Sequence, residues 1–404
     1  MYSQTIIDFV QKNAPCYIYD QATIRKQASR LQQTFGEATL LFSLKTNPFV
    51  PVVRFLASLG FGADAASAGE VALAASCGMP AEKIYYSTPG KTQADITACL
   101  GKCHLIADSM QEIICAEQAA KEAGKTIGIG IRVNPAFSMD SDMPAPSKFG
   151  MDEEQLHRVF ALLSECPHLK IEGLHVHLRS QILDALMLAN YYEKCYALAE
   201  KVSRFAGHPL SYINFGSGIG IPYYKAEDSP LDLAVLSQAF STLAERNKNA
   251  LAANLLIETG RFVTCESGTY FTPIVDKKTS CGKTFLIVEK GMNGFFRPAQ
   301  AALLEQLLED VPNSEPLYTR KNAFPISVVG IPQIGAETVT IAGSLCTALD
   351  VLAKDISLPM APVGAIIAVG NAGSYGRSLS PLTFSSHPAP PEFLYTEENT
   401  FVER

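Results

Sequence analysis

An α/β fold followed by a β-rich part is predicted by two observations. Between residues 39 and 258 a strand–turn–helix unit repeats eight times, and beyond about residue 262 the helical periodicity gives way to short strand-like runs. Strands alternating with helices pair in parallel, and eight such units are the number that closes a (β/α)8 TIM-type barrel. The later runs, separated by turn residues, predict a β-sandwich or barrel domain. The barrel is set at residues 22–262, and the β-rich domain at 1–21 together with 263–404.

Taken in order, an early strand at Ala14–Asp20 precedes the first barrel helix and is expected to pair with the second domain's sheet. The eight barrel strands are Leu40–Leu44, Gly60–Asp64, Lys83–Ser87, His104–Asp108, Thr126–Asn134, Ile171–His177, Tyr212–Gly216 and Asn254–Glu258. Helical patterns fill the gaps, as at Ala68–Cys77, Ser109–Ala123, Glu153–Ser164, Leu183–Phe205 and Leu231–Lys248. Phe137–Lys148 mixes Met, Asp, Ser and Pro and reads as a long loop after the fifth strand. The second domain's runs are Phe271–Lys277, Thr284–Val288, Ala323–Val329, Glu337–Ala342 and Ala365–Val369, with one helix at Ala299–Leu308.

Composition narrows the function classes. At 47% hydrophobic and 18% charged, the 404-residue chain is of globular type. A net charge of −7 argues against a nucleic-acid partner, which needs a basic stripe. Neither an N-terminal targeting signal nor an apolar run of membrane-spanning length is visible, so a cytoplasmic location is expected. The ten cysteines form no Cys-x-x-Cys pair; Cys99 and Cys103 read as ordinary buried thiols. A reduced protein without a structural metal is the expectation.

A barrel carries its chemistry at the C-terminal ends of its strands. Those ends hold Lys45, Asp64, Ser87, Asp108, Asn134, His177, Gly216 and Glu258. Taken singly, each could be a polar residue at a loop edge, and Lys45 a solvated cap. Lys45 follows an apolar strand, however, and a desolvated lysine amine is available for Schiff-base formation. The glycines of Gly216-Ser217-Gly218-Ile219-Gly220 let backbone N–H groups approach a phosphate. Glu258-Thr259-Gly260-Arg261 then offers a carboxylate and a guanidinium on either side of a turn. His175 and His177 are expected to point opposite ways, one ring packed and the other stacked on a ligand. Gly343–Asp350 places a thiol, Cys346, and an acid in one turn.

These residues resemble the fold-III PLP-dependent decarboxylases, the group containing diaminopimelate and ornithine decarboxylases, from about residue 15 to 395. The matching motifs are Ser43-Leu44-Lys45-Thr46-Asn47, Ala63-Asp64-Ala65-Ala66-Ser67, the His177 segment, the glycine loop, Glu258-Thr259-Gly260-Arg261, Cys346 and Gly373-Ser374-Tyr375-Gly376. The resemblance implies an alanine racemase-like architecture, pyridoxal 5'-phosphate as cofactor, and a homodimer with shared active sites. It also implies residue roles. Lys45 holds the cofactor covalently, His177 stacks on its ring, Glu258 pairs with the ring nitrogen, and Asp64 sits nearby. Ser180, Gly218, Arg261 and Tyr375 hold the phosphate, and Cys346 protonates the carbanion; Tyr375 and Cys346 reach one site from opposite subunits. Glu258 separates the chain from the fold-III racemases, which place an arginine at the ring nitrogen.

Departures from the family pattern concern substrate. Diaminopimelate and ornithine decarboxylases follow the cysteine with an acid that holds a distal ammonium; Thr347 stands there in this chain. Arg297-Pro298 is kept, but Ala301 replaces the tyrosine of Arg-Pro-x-x-Tyr. Arg179 replaces a small glycine, and could point away or bind an extra carboxylate. Thr347, Asp350, Arg179 and Arg297 are the expected substrate contacts. The Cys-Thr pair, the Glu-x-Gly-Arg-Phe run and the Ser386–Phe393 ending are similar to a subgroup acting on amino acids joined to a citryl group or to a carrier protein as a thioester. A citryl-amino acid of carboxylate siderophore biosynthesis is the expected substrate. A free basic amino acid such as diaminopimelate is the alternative, and an inactive cofactor-binding homologue a third reading.

Overall fold

Short apolar runs bounded by turns form strands here because parallel strands bury both of their faces. The computed structural model describes residues 2–224, 227–307, 323–331 and 334–403. They form two compact units: Ala28–Ile221 with Pro230–Gly260, and Met1–Gln27 with Pro222–Ser229 and Arg261–Arg404. Strand β1 (Cys16–Asp20) belongs to the latter.

The barrel unit contains β2 (Thr39–Ser43), β3 (Gly62–Ala65), β4 (Ile84–Tyr86), β5 (His104–Ala107) and β6 (Ile127–Asn134), followed by the two-residue β7 (Met151–Asp152). It continues with β8 (Leu169–His175), β9 (Tyr212–Asn214) and β10 (Asn254–Thr259). The order β5-β4-β3-β2-β10-β9-β8-β6 closes through the pairing of β5 with β6, and all pairs are parallel. All eight expected strands are present, and β7 only extends the edge of β6.

Helix starts follow from short polar side chains that accept otherwise unpaired N–H groups. Ser67 accepts from Glu70, Ser109 from Glu112, Asp184 from Leu186 and Met187, and Asp232 from Ala234 and Val235. Each such cap stabilises its helix by about 1 kcal/mol. Inside the barrel, Leu41, Tyr85, Ile106, Tyr212 and Leu256 form an apolar cluster. Two residues beyond Tyr212 on β9 the lining turns polar, because Arg132, His175 and Asn214 lie in register across β6, β8 and β9.

The other unit adds β11 (Gly268–Ser280), β12 (Lys283–Val288), β13 (Ile326–Val329), β14 (Glu337–Ala342), β15 (Val351–Leu358), β16 (Ile366–Val369), β17 (Glu392–Tyr395) and β18 (Phe401–Val402). Its sheet is mostly antiparallel, in the order β15-β14-β12-β11-β1-β17-β18, with β16 joining β11 to β13. As expected, the early strand pairs here: Cys16 lies opposite Phe271, and Tyr17 opposite Glu392. Val10, Ile18, Phe271, Val329, Ile366 and Phe393 are among its core.

Some elements differ from expectation. Strands β15, β17 and β18 and the helix Gln4–Asn13 were absent from the reading of the sequence. In β15 the alternation breaks at Asp355, which adopts a left-handed φ of 51°. The helix expected at Ala299–Leu308 spans Phe296–Leu307; Leu308 lies outside the described residues. Pro222–Ser229, placed by sequence within 22–262, clusters with the β-rich unit, where Tyr223 packs between Arg261 and Arg297. No helix among the described residues is long and apolar enough to cross a membrane.

Candidate active site

The barrel's C-terminal rim gathers most of the expected polar residues. Lys45 follows β2 in a short 3-10 turn, Leu44–Thr46, pinned by the Thr46 hydroxyl donating to the Ser43 carbonyl at 2.7 Å. Its Nζ is 3.2 Å from Asp64 Oδ2. Asp64 is buried, and its other oxygen accepts from Ser87 Oγ at 2.9 Å. The lysine side chain is 47% exposed, so its amine is held by a carboxylate yet open to attack a ligand.

Glu258, near the end of β10, is buried. Asn214 Nδ2 donates to its Oε1 at 2.9 Å, and His175 Nε2 lies 3.1 Å from the same oxygen. Burial alone would push this carboxyl up; His175, Lys45 and His177 outweigh that and hold it below the usual carboxylate range. Asn214 also accepts the N–H of Gly216 at 2.9 Å, tying Glu258 to the start of the glycine loop. In that loop Gly216 and Gly218 take φ of 67° and 149°, which side chains with a Cβ rarely adopt.

His177 lies two residues past β8, half-buried, with its Nδ1 accepting the Ser217 N–H at 3.2 Å. Burial, reinforced by Arg132, Lys45 and His175 against the pull of Glu258, lowers its pKa to about 3, so the ring is neutral. His175 and His177 do not point opposite ways. Residues two apart in an extended segment share a face, and both turn toward Glu258. The Ser180 segment is tied to the glycine loop: the Ile182 N–H donates to the Gly218 carbonyl at 2.8 Å, and Gln181 Nε2 to that of Ile221.

Two expected rim residues are otherwise engaged. Asp108 Oδ1 accepts from Arg132 Nη1 at 3.3 Å, and Oδ2 accepts the Gly150 N–H at 3.0 Å. Asn134 donates to Asp152 and to the Ala145 carbonyl. Arg179 pairs with Asp140, Nη1 to Oδ2 at 2.6 Å, in the loop 137–148.

In the β-rich unit, Arg261 and Arg297 are both buried and both donate through Nη1 to Tyr223 Oη. Arg297 donates also to the Ser374 carbonyl at 3.2 Å. Arg297, expected at the substrate, is thus buried and engaged within the β-rich unit. The Tyr375 ring lies 5.4 Å from the Arg261 guanidinium, on a backbone with φ of 53°. A non-glycine residue held there is strained, and such strain gathers at ligand clamps. Cys346 is exposed on its turn, and Thr347 accepts the Leu349 N–H. Asp350, expected to meet substrate, is instead buried, its oxygens accepting the N–H groups of Met292 at 2.6 Å and Leu345 at 2.9 Å.

Arg132, Asn214 and Tyr223 were missed from sequence. The first two had one usable signal, polar residues at matching depth on neighbouring strands; Tyr223 had none.

Residues 21–265 match the pyridoxal-binding domain of pyridoxal-dependent decarboxylases. The chain is 31% identical over 393 residues to the L-glutamyl-[BtrI acyl-carrier protein] decarboxylase of Niallia circulans, covering 94% of this chain and 88% of that protein. It is 30% identical over 376 residues to the diaminopimelate decarboxylase of Aquifex aeolicus, covering 91% and 83% of the two chains. Among solved structures, the diaminopimelate decarboxylase of M. jannaschii in complex with L-lysine superposes with a TM-score of 0.86 at 25% identity, over 99% of this chain and 91% of that one.

Proposed function

The chain belongs to the pyridoxal-dependent decarboxylases, and from that premise we propose that it acts on an amino acid already joined to a second group. It is a PLP-dependent decarboxylase of the fold-III class. The residues present fit the cofactor: a reachable lysine amine, a buried ionised carboxylate and a positive-φ glycine loop line one rim. When bound, PLP supplies the electron sink for the pair left by the departing carboxylate.

In our reading Lys45 provides the amine that holds the cofactor, with Asp64 fixing that amine. Glu258 would accept a hydrogen bond from the cofactor's ring nitrogen, and the neutral ring of His177 would stack on the cofactor. Ser180, Gly218, Arg261 and Tyr375 bind its phosphate. Cys346 would hold the proton at Sγ that replaces the carboxylate on the substrate's α-carbon. The enzyme works in the cytoplasm as a homodimer in which each subunit contributes to its partner's site.

The observation that carries the substrate reading is the Cys346 turn. Thr347 is neutral, and Asp350, the sole acid of Gly343–Asp350, is taken up by backbone N–H groups. A distal ammonium would find no counter-charge in this turn, and an unpaired buried charge costs several kcal/mol, about 3–5. A side chain whose ammonium is already blocked avoids that cost. We favour a citryl-amino acid of siderophore biosynthesis, with Arg179 exchanging Asp140 for a citryl carboxylate. A second reading, a carrier-protein thioester, is supported by the likeness to the Niallia circulans enzyme. A free diamino acid, as the name of the Aquifex aeolicus relative suggests, is the third.

The test is CO2 release from diaminopimelate, ornithine, lysine, a citryl-diamino acid and a carrier-linked glutamyl thioester. The conjugate reading expects turnover of one of the last two only. Rapid turnover of free diaminopimelate would overturn it.

A further inference from the structure

We infer that His175 is a positioning residue for Glu258, holding a proton against Oε1 so that the carboxylate remains the acceptor the cofactor's ring nitrogen needs. The inference rests on the proposed placing of Glu258 at that nitrogen and is independent of the substrate. His175 ends β8 and is 1% exposed, with Nε2 3.1 Å from Glu258 Oε1. Neither ring nitrogen makes a regular hydrogen bond among the described residues. Buried polar atoms of this kind call for an explanation. The contact with Glu258 supplies one.

The neighbours show why a third group is needed. Asn214, in register with His175, fixes the orientation of Oε1 but brings no charge. Lys45 and His177 also face Glu258, while Arg132 on β6 is turned to Asp108. Tyr191, from the helix Ala185–Ala206, spends its hydroxyl on the carbonyls of Val176 and Phe215. Lys45 would be committed to the cofactor once it holds it, and His177 is a neutral ring. His175 is then the side chain that, beside the Asn214 amide, keeps an N–H at Oε1 in the loaded enzyme. It touches neither cofactor nor substrate in this arrangement and acts through the carboxylate.

The experiment uses the holoenzyme and the variants His175→Leu, His175→Gln and Glu258→Gln. Two quantities are read: the pH midpoint of the cofactor's visible absorbance band, and PLP retained at equilibrium dialysis. His175→Leu is expected to move the midpoint by about one pH unit and weaken retention about tenfold. His175→Gln keeps an N–H donor and stays within about threefold of the parent. Should the leucine variant not fold, 15N-histidine NMR of the unsubstituted holoenzyme serves instead. A protonated His175 Nε2 that shifts in Glu258→Gln is expected, and an unprotonated Nε2 overturns the inference. Both His175 variants titrating and retaining PLP like the parent, while Glu258→Gln does not, overturns the role of His175 alone. If Glu258→Gln itself leaves the band unmoved, the placing of Glu258 fails as well.

Discussion

Lys45 Nζ stands 3.2 Å from Asp64 Oδ2, a half-exposed amine against a carboxylate that is 1% exposed. Ser87 donates to the other oxygen of Asp64, so the aspartate is fixed from behind and the lysine is the more exposed member of the pair. Asp64→Asn keeps the volume and removes the charge. It is expected to slow PLP uptake by the cofactor-free protein about tenfold while shifting stability little, since the lysine end of the pair is half-exposed and the amide oxygen still accepts from Ser87. Asp64→Leu also strands the Ser87 hydroxyl and should cost about 1–3 kcal/mol in urea denaturation. Unchanged uptake in both variants would show that Asp64 does not orient the amine.

Gly260 sits in the turn after β10, against the turn that carries the lysine. A Cβ at this position would lie 2.3 Å from Thr46 Cγ2 and 2.9 Å from Thr46 Oγ1. Gly260→Ala must push Thr46, and with it Lys45, away from the end of β10. We expect loss of PLP retention by more than tenfold, with stability lowered by about 1–3 kcal/mol. Adding Thr46→Ser removes the nearest atom and should restore part of the retention. No recovery in the double variant would mean that the displacement runs through the backbone instead.

Much of this geometry was legible in the sequence, for a physical reason. Barrel strands such as Leu40–Leu44 are continuous apolar runs ending at a polar residue, and that ending marks the rim. The pairing of His175 with His177 was misjudged because the two-residue period of a strand puts them on one face. Tyr223 could not be placed at all, and the link between Arg297 and Arg261 through it was not visible. That link comes from a shared oxygen between segments 74 residues apart, and no local pattern encodes that. The edge strand β15 was missed where Asp355 interrupts its alternation.

Tyr223 Oη accepts from two buried guanidiniums, Arg261 and Arg297. Hydrogen bonds to charged groups contribute about 1.5–3 kcal/mol, so Tyr223→Phe is expected to lower stability by about 2–4 kcal/mol. The ring itself stays, along with its contacts to both guanidiniums and to Phe324. Thermal denaturation of the purified variant reads the loss. A shift below about 0.5 kcal/mol would mean that water takes over the oxygen's role.

The pH dependence of stability should show two windows. His177 is held neutral down to about 3, whereas an unfolded histidine takes up its proton at about 6.5. The unfolded chain therefore binds the extra proton first, and stability falls as pH drops below about 6.5, by at most about 1.4 kcal/mol per pH unit. Glu258 is depressed in the folded state, so its contribution is lost only below about 4.3. Urea midpoints of the cofactor-free protein should flatten between those values in His177→Gln and keep the steeper fall beneath them. A parent whose midpoint is constant from pH 6.5 to 4.5 would remove the first window.

Substrate choice gives the last prediction, because the Cys346 turn lacks one charge that the alternative substrates need. Thr347 is a neutral residue beside the exposed thiol, and Asp350 is consumed by the N–H groups of Met292 and Leu345. Thr347→Glu supplies a carboxylate without touching that anchor. If the missing counter-charge is what excludes a free diamino acid, the variant should gain diaminopimelate decarboxylation by about tenfold or more in kcat/KM, since a site built to pair a polar group discriminates strongly. The same change should weaken turnover of a citryl conjugate, whose carboxylates would meet a like charge. CO2 release from both substrates, parent against variant, measures the two effects together. Equal rates on diaminopimelate would place the discrimination elsewhere, and the Arg179–Asp140 pair would be the next position to vary.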